Sequence, residues 1–400
     1  MAGLPCPPDG YDRLPTHVNR GPFVMPLFRR GDQGPEVADI RAKLGQLGLL
    51  VAAPGVAADL FDEGCDHAVR GFQQSRGLRV DGLVGAETYR ALDEARYRLG
   101  MRVLSHAVSH PLVGDDVAEL QHRLLDMGFD PGRCDGIFGA RTGIALREFQ
   151  RGVGLVADGT CGPKTLRALE RVMPRASGGS PGELREAERL LQAGPALAGK
   201  VIVVDPGHGS DDRGWQAHGL DEAALVEDIA ARLEGRLGAA GARAYPTRGP
   251  EARPSDAERA AFANDADAEL FVSVHVDGAA AERCHGIATY YFGSTAAGRV
   301  SASSTGSRLA SLIQREVTAR TGLLNCRTHP KTWELLRLTR MPAVRLDVGY
   351  LTNAEDARRL GGPEFRDGVA EAIFAAIQRL YLPPGQDVAT GLLRMPALTR

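Results

Sequence analysis

Residues 200–209, KVIVVDPGHG, decide the fold of the second half of the chain. The apolar run is continuous and ends at Pro-Gly, which is typical of a strand buried on both faces. Strand and helix patterns alternate after it, and Ser255 is the predicted N-cap of the second helix. The predicted helices are 221–238, 254–266, 303–321 and 365–381, and the predicted strands are ARAYPTR, LFVSVHV, ATYYF and AVRLDVGYL. This alternation predicts an α/β domain over 200–381 with a mostly parallel central sheet.

Polar side chains that can bind a metal stand at the ends of three of these strands. His208 follows the first strand, His275 ends LFVSVHV, and Asp347 lies near the end of AVRLDVGYL. Ligands of such sheets bind beyond the carboxyl ends of the strands, so we expect the three side chains to share one cleft. A single histidine at a strand end is more often an ordinary core or surface residue. The interpretation as a site therefore depends on the three occurring together.

The segments around these residues resemble the Amidase_3 family of N-acetylmuramoyl-L-alanine amidases. DPGHG at 205–209 is similar to the family's DPGHGG, with Ser210 in place of the last glycine. Further matches follow in the family's order. They are GLDEAAL with Glu222, the stretch 246–264 through Arg248, Arg259 and Asn264, LFVSVHVDG with His275, and MPAVRLDVGYLTNAED with Asp347.

The resemblance implies a zinc site formed by His208, Glu222 and His275. Two imidazoles and one carboxylate leave a fourth position open for water, whose pKa zinc lowers toward about 7. The implied reaction is hydrolysis of the amide bond between N-acetylmuramic acid and L-alanine in peptidoglycan or muropeptides. The family's general-base glutamate corresponds to Asp347, which is one methylene shorter, and a misplacement near 1 Å can lower a rate about 100-fold.

Arginine side chains are candidates for contacting the substrate, because a guanidinium binds a carboxylate through two hydrogen bonds. Arg248 and Arg337 are the predicted substrate-binding residues, and Trp333 with its neighbours is predicted to shape that side of the cleft. The remaining histidines of the domain are interpreted as structural or surface residues; they are His218, His285 and His329.

The first half of the chain repeats itself. Phe72-Gln73 matches Phe149-Gln150, and the Asp-Gly pair at 81–82 matches the pair at 158–159. Apolar spacing predicts three short helices in each copy. The copies, at 31–97 and 112–171, resemble peptidoglycan-binding modules of the PG_binding_1 type, which implies binding of wall peptide or glycan. The alternative is a structural or protein-docking platform.

The rest of the chain completes a multidomain plan of two small all-α repeats followed by the α/β domain. We predict a disordered tail over 1–30, a linker with a short helix over 174–199, and a C-terminal tail over 382–400. The six cysteines form no metal-binding spacing and are expected to be free thiols. A bridge between Cys134 and Cys161 is the alternative.

The composition excludes several classes of partner. The chain has 400 residues, is 43% hydrophobic and carries a net charge of −2, so it offers no electrostatic argument for nucleic acid. No apolar run approaches the roughly 20 residues that span a bilayer. The N-terminus lacks the pattern of a secretory signal. We therefore expect a cytoplasmic protein, located in the cell wall only if it is exported by an unrecognised route.

Two functions remain open at this stage. The first is the zinc amidase. The second follows from the layout of the chain and from the stretch RLTRMPAV…DVGYLTN, which resemble CwlM-type proteins of actinobacteria. That resemblance implies a cytoplasmic, non-hydrolytic regulator of peptidoglycan precursor synthesis, with wall-synthesis enzymes as its partners.

Overall fold

The structure, a computed structural model, describes residues 26–51, 55–172, 181–296 and 299–382. Contacts divide these residues into two compact units. One holds 26–185 together with 293–301, and the other holds 186–292 and 302–382. The predicted C-terminal tail beyond residue 382 and most of the predicted N-terminal tail lie outside the described residues, as does part of the linker.

The helical unit contains two sets of three helices. They are α1 (Pro35–Gln46), α2 (Glu63–Ser75) and α3 (Ala86–Ala95), then α4 (Asp115–Asp126), α5 (Ala140–Gly152) and α6 (Pro163–Val172). Each set buries its own apolar cluster, around Ile40 and Phe72 in the first and around Leu120 and Phe149 in the second. The predicted three-helix repeats are therefore confirmed. Phe28 bridges Val84, so the described end of the predicted tail is part of the first repeat.

A buried glutamine explains the motif shared by the two repeats. The amide nitrogen of Gln73 lies 2.9 Å from Asp81 Oδ1 and 3.2 Å from Thr88 Oγ1, and its oxygen accepts from Gly82 N at 2.9 Å. Gln150 makes the same set of contacts with Asp158, Gly159 and Thr165. The Phe-Gln, Asp-Gly and Thr signature therefore holds the turn against the helices and stabilises each repeat.

Replacing Gln73 with alanine is expected to destabilise the first repeat by about 2–3 kcal/mol, because buried partners lose their hydrogen bonds. Cys65 is fully buried in that repeat, and Cys161 is buried in the second. Mass-mapped thiol labelling of the whole chain should show faster labelling of Cys65 in Gln73→Ala and of Cys161 in the matched Gln150→Ala. Unchanged labelling of both thiols in both variants would contradict this structural role.

The elements that follow the repeats are a helix and an α/β fold, of which residues 181–185 and 293–301 group by contacts with the helical unit. The strands are β1 (Val201–Pro206), β2 (Gln216–Ala217), β3 (Leu220–Asp221), β4 (Arg243–Pro246), β5 (Leu270–Asp277), β6 (Ile287–Ala296), β7 (Arg299–Ala302), β8 (Asn325–Lys331) and β9 (Ala343–Tyr350). The helices are α7 (Pro181–Gln192), α8 (Glu222–Ala239), α9 (Asp256–Asp265), α10 (Ser304–Thr321), α11 (Glu334–Leu338), α12 (Ala354–Gly361) and α13 (Pro363–Leu380).

The main sheet has the order β4-β1-β5-β9-β6-β7, and β8 also pairs with β6. Neighbouring strands are parallel from β4 to β9, whereas β9 and β6 are antiparallel. One face packs its valines, leucines and isoleucines against α8, α10 and α13. The other face packs Val203, Phe271 and Ala343 into a smaller apolar cluster with residues of α9 and α11. The predicted α/β fold with a mostly parallel sheet is therefore confirmed.

The sequence patterns located the long elements and missed the short ones. The predicted strands correspond to β1, β4, β5, β6 and β9, and Ser255 caps α9 in a capping box with Glu258. The hairpin β2–β3, the strands β7 and β8, and the short helices α11 and α12 were not predicted, because elements of two to eight residues carry little periodicity.

Among the cysteines that the structure describes, one departs from expectation. Cys65, Cys134, Cys161 and Cys326 are free thiols, which rules out the Cys134–Cys161 bridge. Cys284 is disulfide-bonded, so the prediction of free thiols throughout is wrong there.

Candidate metal centre

Three side chains from separate elements meet at the carboxyl edge of the sheet. His208 follows β1, Glu222 is the first residue of α8, and His275 lies in β5. One nitrogen or oxygen atom of each lies within 4.8 Å of the others. Glu222 Oε1 is 3.0 Å from His208 Nε2 and 2.9 Å from His275 Nδ1. The structure thus brings together the three residues that the sequence predicted as ligands.

The unpredicted hairpin β2–β3 fixes the position of Glu222. Asp221, its last residue, caps α8 by accepting from Ala224 N at 2.9 Å. Trp215 N, just before the hairpin, donates to Glu222 Oε2 at 3.0 Å, and Val276 N donates to Oε1 at 3.0 Å. The carboxylate is 1% exposed. A buried carboxylate held by backbone donors keeps one orientation, as a metal ligand requires.

Close backbone approach makes room for the site. A Cβ atom at Gly207 would lie 2.2 Å from His275 Cε1, and one at Gly214 would lie 2.5 Å from Glu222 Oε2. His208 itself has a φ of 58°, in the left-handed region that non-glycine residues rarely adopt. The backbone at His208 is therefore strained, and its surroundings hold it in place.

Asp212 orients His208 from outside the triad. Its Oδ2 lies 3.0 Å from His208 Nδ1, which directs Nε2 of the same ring toward Glu222. A carboxylate on the second nitrogen of a ligating imidazole fixes both the tautomer and the ring orientation. Sequence reasoning missed this residue, although its spacing of four from His208 was visible.

The protonation of the triad is set by burial and by hydrogen bonds. Burial would raise the pKa of Glu222, but the hydrogen bonds from His208 and His275 hold that pKa well below its usual value. Burial lowers the pKa of His275, and the charge of Arg345 adds to this. Burial also acts to lower the pKa of His208, but its contacts with Glu222 and Asp212 outweigh that effect and raise it.

Metal binding should therefore depend on pH through His208. Its pKa lies above the ordinary 6.5, so the ring is protonated at mildly acidic pH and must lose that proton to bind a metal. We expect zinc affinity to fall by about tenfold per pH unit below this raised pKa. Competition titrations between pH 8 and pH 5.5 would test this. A flat profile over that range would contradict it.

Asp347 lies beside His275 on the neighbouring strand. The two residues are in register between β5 and β9. Its Oδ1 accepts from Arg345 Nε at 2.8 Å, and its side chain is 4% exposed. Within the described ranges, Oδ2 has no hydrogen-bond donor and is not a fully buried orphan. Arg345 thus holds one oxygen of Asp347, and the other has no hydrogen-bond donor among the described residues.

A row of polar side chains crosses the sheet just before this site. In register from β1 to β8 it consists of Asp205, Ser273, Arg345, Tyr290 and His329. Tyr290 contacts both the His329 ring and Trp333, with ring centroids 5.8 and 4.5 Å away. On β5 and β9 this face runs from the apolar Phe271 and Ala343 through the polar row to His275 and Asp347.

Arg248 and Arg259 brace the backbone on both sides of Gly207. Arg248 donates to Pro206 O at 3.0 Å and Gly207 O at 2.9 Å, and its side chain is 1% exposed. Arg259 donates to His208 O at 2.7 Å and pairs with the fully buried Asp205. In the structure Arg248 holds the backbone that leads to His208, and its contact with a substrate stays a prediction.

The other predicted residues occupy varied places. Arg337 is half-buried in α11 and stays a prediction as a substrate contact. His218 and His285 are exposed, whereas His329 is half-buried and contacts Cys326 O at 2.7 Å. Arg345 was missed altogether, although its spacing of two from Asp347 places both on one face of a strand.

Comparison with known proteins identifies the family. Residues 202–379 match the Amidase_3 family, N-acetylmuramoyl-L-alanine amidase, and residues 33–92 and 113–169 match the PG_binding_1 family of peptidoglycan-binding domains. The chain is 49% identical over 375 residues to N-acetylmuramoyl-L-alanine amidase CwlM of Mycobacterium tuberculosis, an alignment that covers 91% of this chain and 92% of that protein. The chain belongs to the N-acetylmuramoyl-L-alanine amidase family.

Other members of the amidase family match the second half of the chain. LytC of Bacillus subtilis is 32% identical over 177 residues, which are 44% of this chain and 34% of LytC. Among solved structures, the amidase AmiC2 of Nostoc punctiforme is 28% identical, with 45% of this chain and 96% of that chain covered at a TM-score of 0.41. Among the described residues of this family member, no helix is long and apolar enough to cross a membrane.

Proposed function

We propose that the chain is a zinc-dependent N-acetylmuramoyl-L-alanine amidase that hydrolyses the bond between N-acetylmuramic acid and L-alanine in peptidoglycan or muropeptides. The observation that carries this proposal is the convergence of His208, Glu222 and His275 beside Asp347. Membership of the family supports the class of reaction.

The donor set of the site fits zinc. Two imidazole nitrogens and one carboxylate are the ligands of many catalytic zinc sites, which keep one position open. Glu222 stays ionised and the pKa of His275 is lowered, so both residues favour the protonation states that a metal needs. When bound, zinc supplies a Lewis acid that polarises the scissile carbonyl and acidifies water.

Asp347 is the proposed general base. Arg345 holds its Oδ1, and its second oxygen accepts the proton of the attacking water and passes it to the leaving amine nitrogen. Register with His275 keeps the carboxylate next to the proposed metal position. Aspartate is shorter than glutamate. The hydrogen bond that Arg345 donates to Oδ1 already restricts the orientation of this shorter side chain, so Asp347 has less conformational freedom to lose before proton transfer.

The two helical repeats are proposed to hold the polymer that the α/β unit cleaves. Their match to peptidoglycan-binding domains supports this. Gln73 and Gln150 are engaged inside the repeats, so the contact with peptidoglycan must come from other residues of these units.

Purified protein is expected to carry about one zinc per chain and to release stem peptide from sacculi or muropeptides. Metal analysis and chromatography of the products would measure both. His275→Ala should lose zinc and activity because it removes a buried ligand, whereas His285→Ala, at an exposed position, should keep both. A folded, zinc-loaded wild type that releases no stem peptide from either substrate would defeat the proposal.

The second candidate is a non-hydrolytic regulator of peptidoglycan precursor synthesis, with cytoplasmic wall-synthesis enzymes as partners. The observation that favours it is Asp347, which is shorter than glutamate and is engaged by Arg345 at one oxygen. Activity that appears only in Asp347→Glu would support a regulator. So would capture of precursor-synthesis enzymes by both wild type and His208→Ala, whereas capture that disappears in His208→Ala would count against it.

A further inference from the structure

Arg345 is a charged residue in the interior of the sheet. It lies in β9, between Ser273 of β5 and Tyr290 of β6. It shares a face with Asp347, and its side chain is 23% exposed. An arginine in the middle of a central strand is costly unless it is paired, so its contacts need an explanation.

Only part of the guanidinium is occupied by protein. Nε donates to Asp347 Oδ1 at 2.8 Å, and the guanidinium carbon lies 4.9 Å from the centre of the Trp333 ring. Arginine has four further N–H groups, on Nη1 and Nη2. In the part of the chain that the structure describes, these groups have no hydrogen-bond acceptor, and neither atom is a fully buried orphan.

The ion pair and the aromatic contact hold the guanidinium plane in one orientation. A fixed guanidinium edge with free N–H groups matches the two oxygens of a carboxylate. Because the held carboxylate is Asp347, an anion on that edge would lie next to the proposed reaction centre. The geometry is that of a receptor for an oxyanion on the substrate.

We propose that Arg345 is a specificity-determining residue that binds a carboxylate of the muramoyl peptide through Nη1 and Nη2. The inference rests on the proposed function, since it names the substrate that the same cleft selects. A stem peptide whose carboxylate is free is preferred over one in which that group is a carboxamide, because the carboxamide lacks the charge and one acceptor.

Charges besides Asp347 act on this position, and Glu222 is one of them. Asp256, the first residue of α9, interacts electrostatically with Arg345 and competes with an incoming anion. Lys331 Nζ lies 5.5 Å from the centre of the Trp333 ring, which Arg345 also contacts, and it adds positive charge near that ring. Removing the charge of Asp256 is therefore expected to tighten anion binding.

The chain's two tryptophans allow a local measurement. In a Trp215→Phe background, Trp333 is the single indole and contacts Arg345 directly. Metal-free protein, in which no turnover occurs, is titrated with N-acetylmuramoyl-L-alanyl-D-glutamate, with the same compound amidated at its α-carboxylate, and with inorganic phosphate.

The free acid is expected to bind about tenfold more tightly than the amide, as for one charged hydrogen-bonded pair. Arg345→Gln should abolish this preference, Arg345→Lys should keep part of it, and Asp256→Asn should strengthen it. Arg340→Gln, at an exposed residue before β9, is the matched control and should keep the full preference.

Three results would overturn the inference. The first is that the protein with Arg345 intact binds the acid and the amide equally tightly. The second is that the preference for the acid survives in Arg345→Gln. The third is that phosphate binds as tightly as the free acid. The proposed function fails separately. A preference without stem-peptide release by the zinc-loaded protein refutes the amidase alone, whereas release without a preference refutes only the role of Arg345.

Discussion

Glu222→Gln is expected to abolish stoichiometric zinc binding and any amidase activity while the fold survives. Glu222 Oε1 is within 3.0 Å of nitrogens of both His208 and His275, so it is the central donor of the triad. The amide is neutral and its oxygen is a weaker ligand. We expect zinc affinity to fall by more than the roughly 10- to 100-fold that loss of an outer partner costs.

Two further variants make the measurement on Glu222→Gln discriminating. Asp212→Asn weakens only the hold on His208, so it should lose zinc affinity within that 10- to 100-fold range. Glu234→Gln, on the same helix, should bind zinc as the wild type does. Circular dichroism checks the fold of each variant. If Glu222→Gln retains one tightly bound zinc, the metal is bound at a site that does not include Glu222, and the prediction is wrong.

Arg259→Met is expected to lower the free energy of unfolding of the α/β unit by about 3–5 kcal/mol, the usual effect of breaking a buried ion pair. Asp205 is fully buried, and Arg259 Nη1 lies 2.5 Å from its Oδ1. Arg259 also donates to Pro206 O at 2.8 Å and to His208 O at 2.7 Å. The substitution leaves a buried charge without its partner and releases the backbone of a predicted ligand.

Denaturation followed by tryptophan fluorescence isolates the correct unit, because both tryptophans lie in it. The double variant Asp205→Asn/Arg259→Met should be more stable than Arg259→Met, since it removes the unpaired charge. A loss below about 1 kcal/mol, the scale of exposed ion pairs, would show that the pair is not structural.

The Asp205 pair also predicts the behaviour of the unit in acid. Burial would raise the pKa of Asp205, but Arg259 and the hydroxyl donors Ser273 and Thr247 lower it below 3.8. The stabilisation is therefore complete above pH 3.8 and is lost only as the pH falls through the lowered native value. Near neutral pH the wild type and Arg259→Met should differ by the full amount.

Much of the site could be predicted because its residues stand in distinctive local patterns. The buried run before His208, the helix that begins at Glu222 and the strand that carries His275 are each visible along the chain. The alternation of LFVSVHVD also predicts that Phe271, Ser273 and His275 share one face of β5. Applied to β9, the same period of two puts Arg345 beside Asp347.

The roles of the arginines could not be predicted in this way. Arg248 and Arg345 both stand near motif residues. The side chain of Arg248 is buried against backbone carbonyls, whereas that of Arg345 is 23% exposed. Local sequence gives the residue type and its spacing. It does not show which carbonyl oxygens of a distant loop accept hydrogen bonds from a guanidinium. Local sequence therefore predicts neither the backbone contacts of Arg248 nor the position of Arg345 beside the candidate site.

In the sequence by itself, periodicity determined the two helical repeats and the α/β class, and the resemblance of its motifs to a known family implied the family and the three predicted ligands. The tertiary structure decided how these parts act. It placed Glu222 between two histidines from other elements, set Asp212 behind His208, and put Arg345 on one oxygen of Asp347. Glu222 and His275, for example, are 53 positions apart in the chain, and only the tertiary structure brings their side chains within hydrogen-bonding distance.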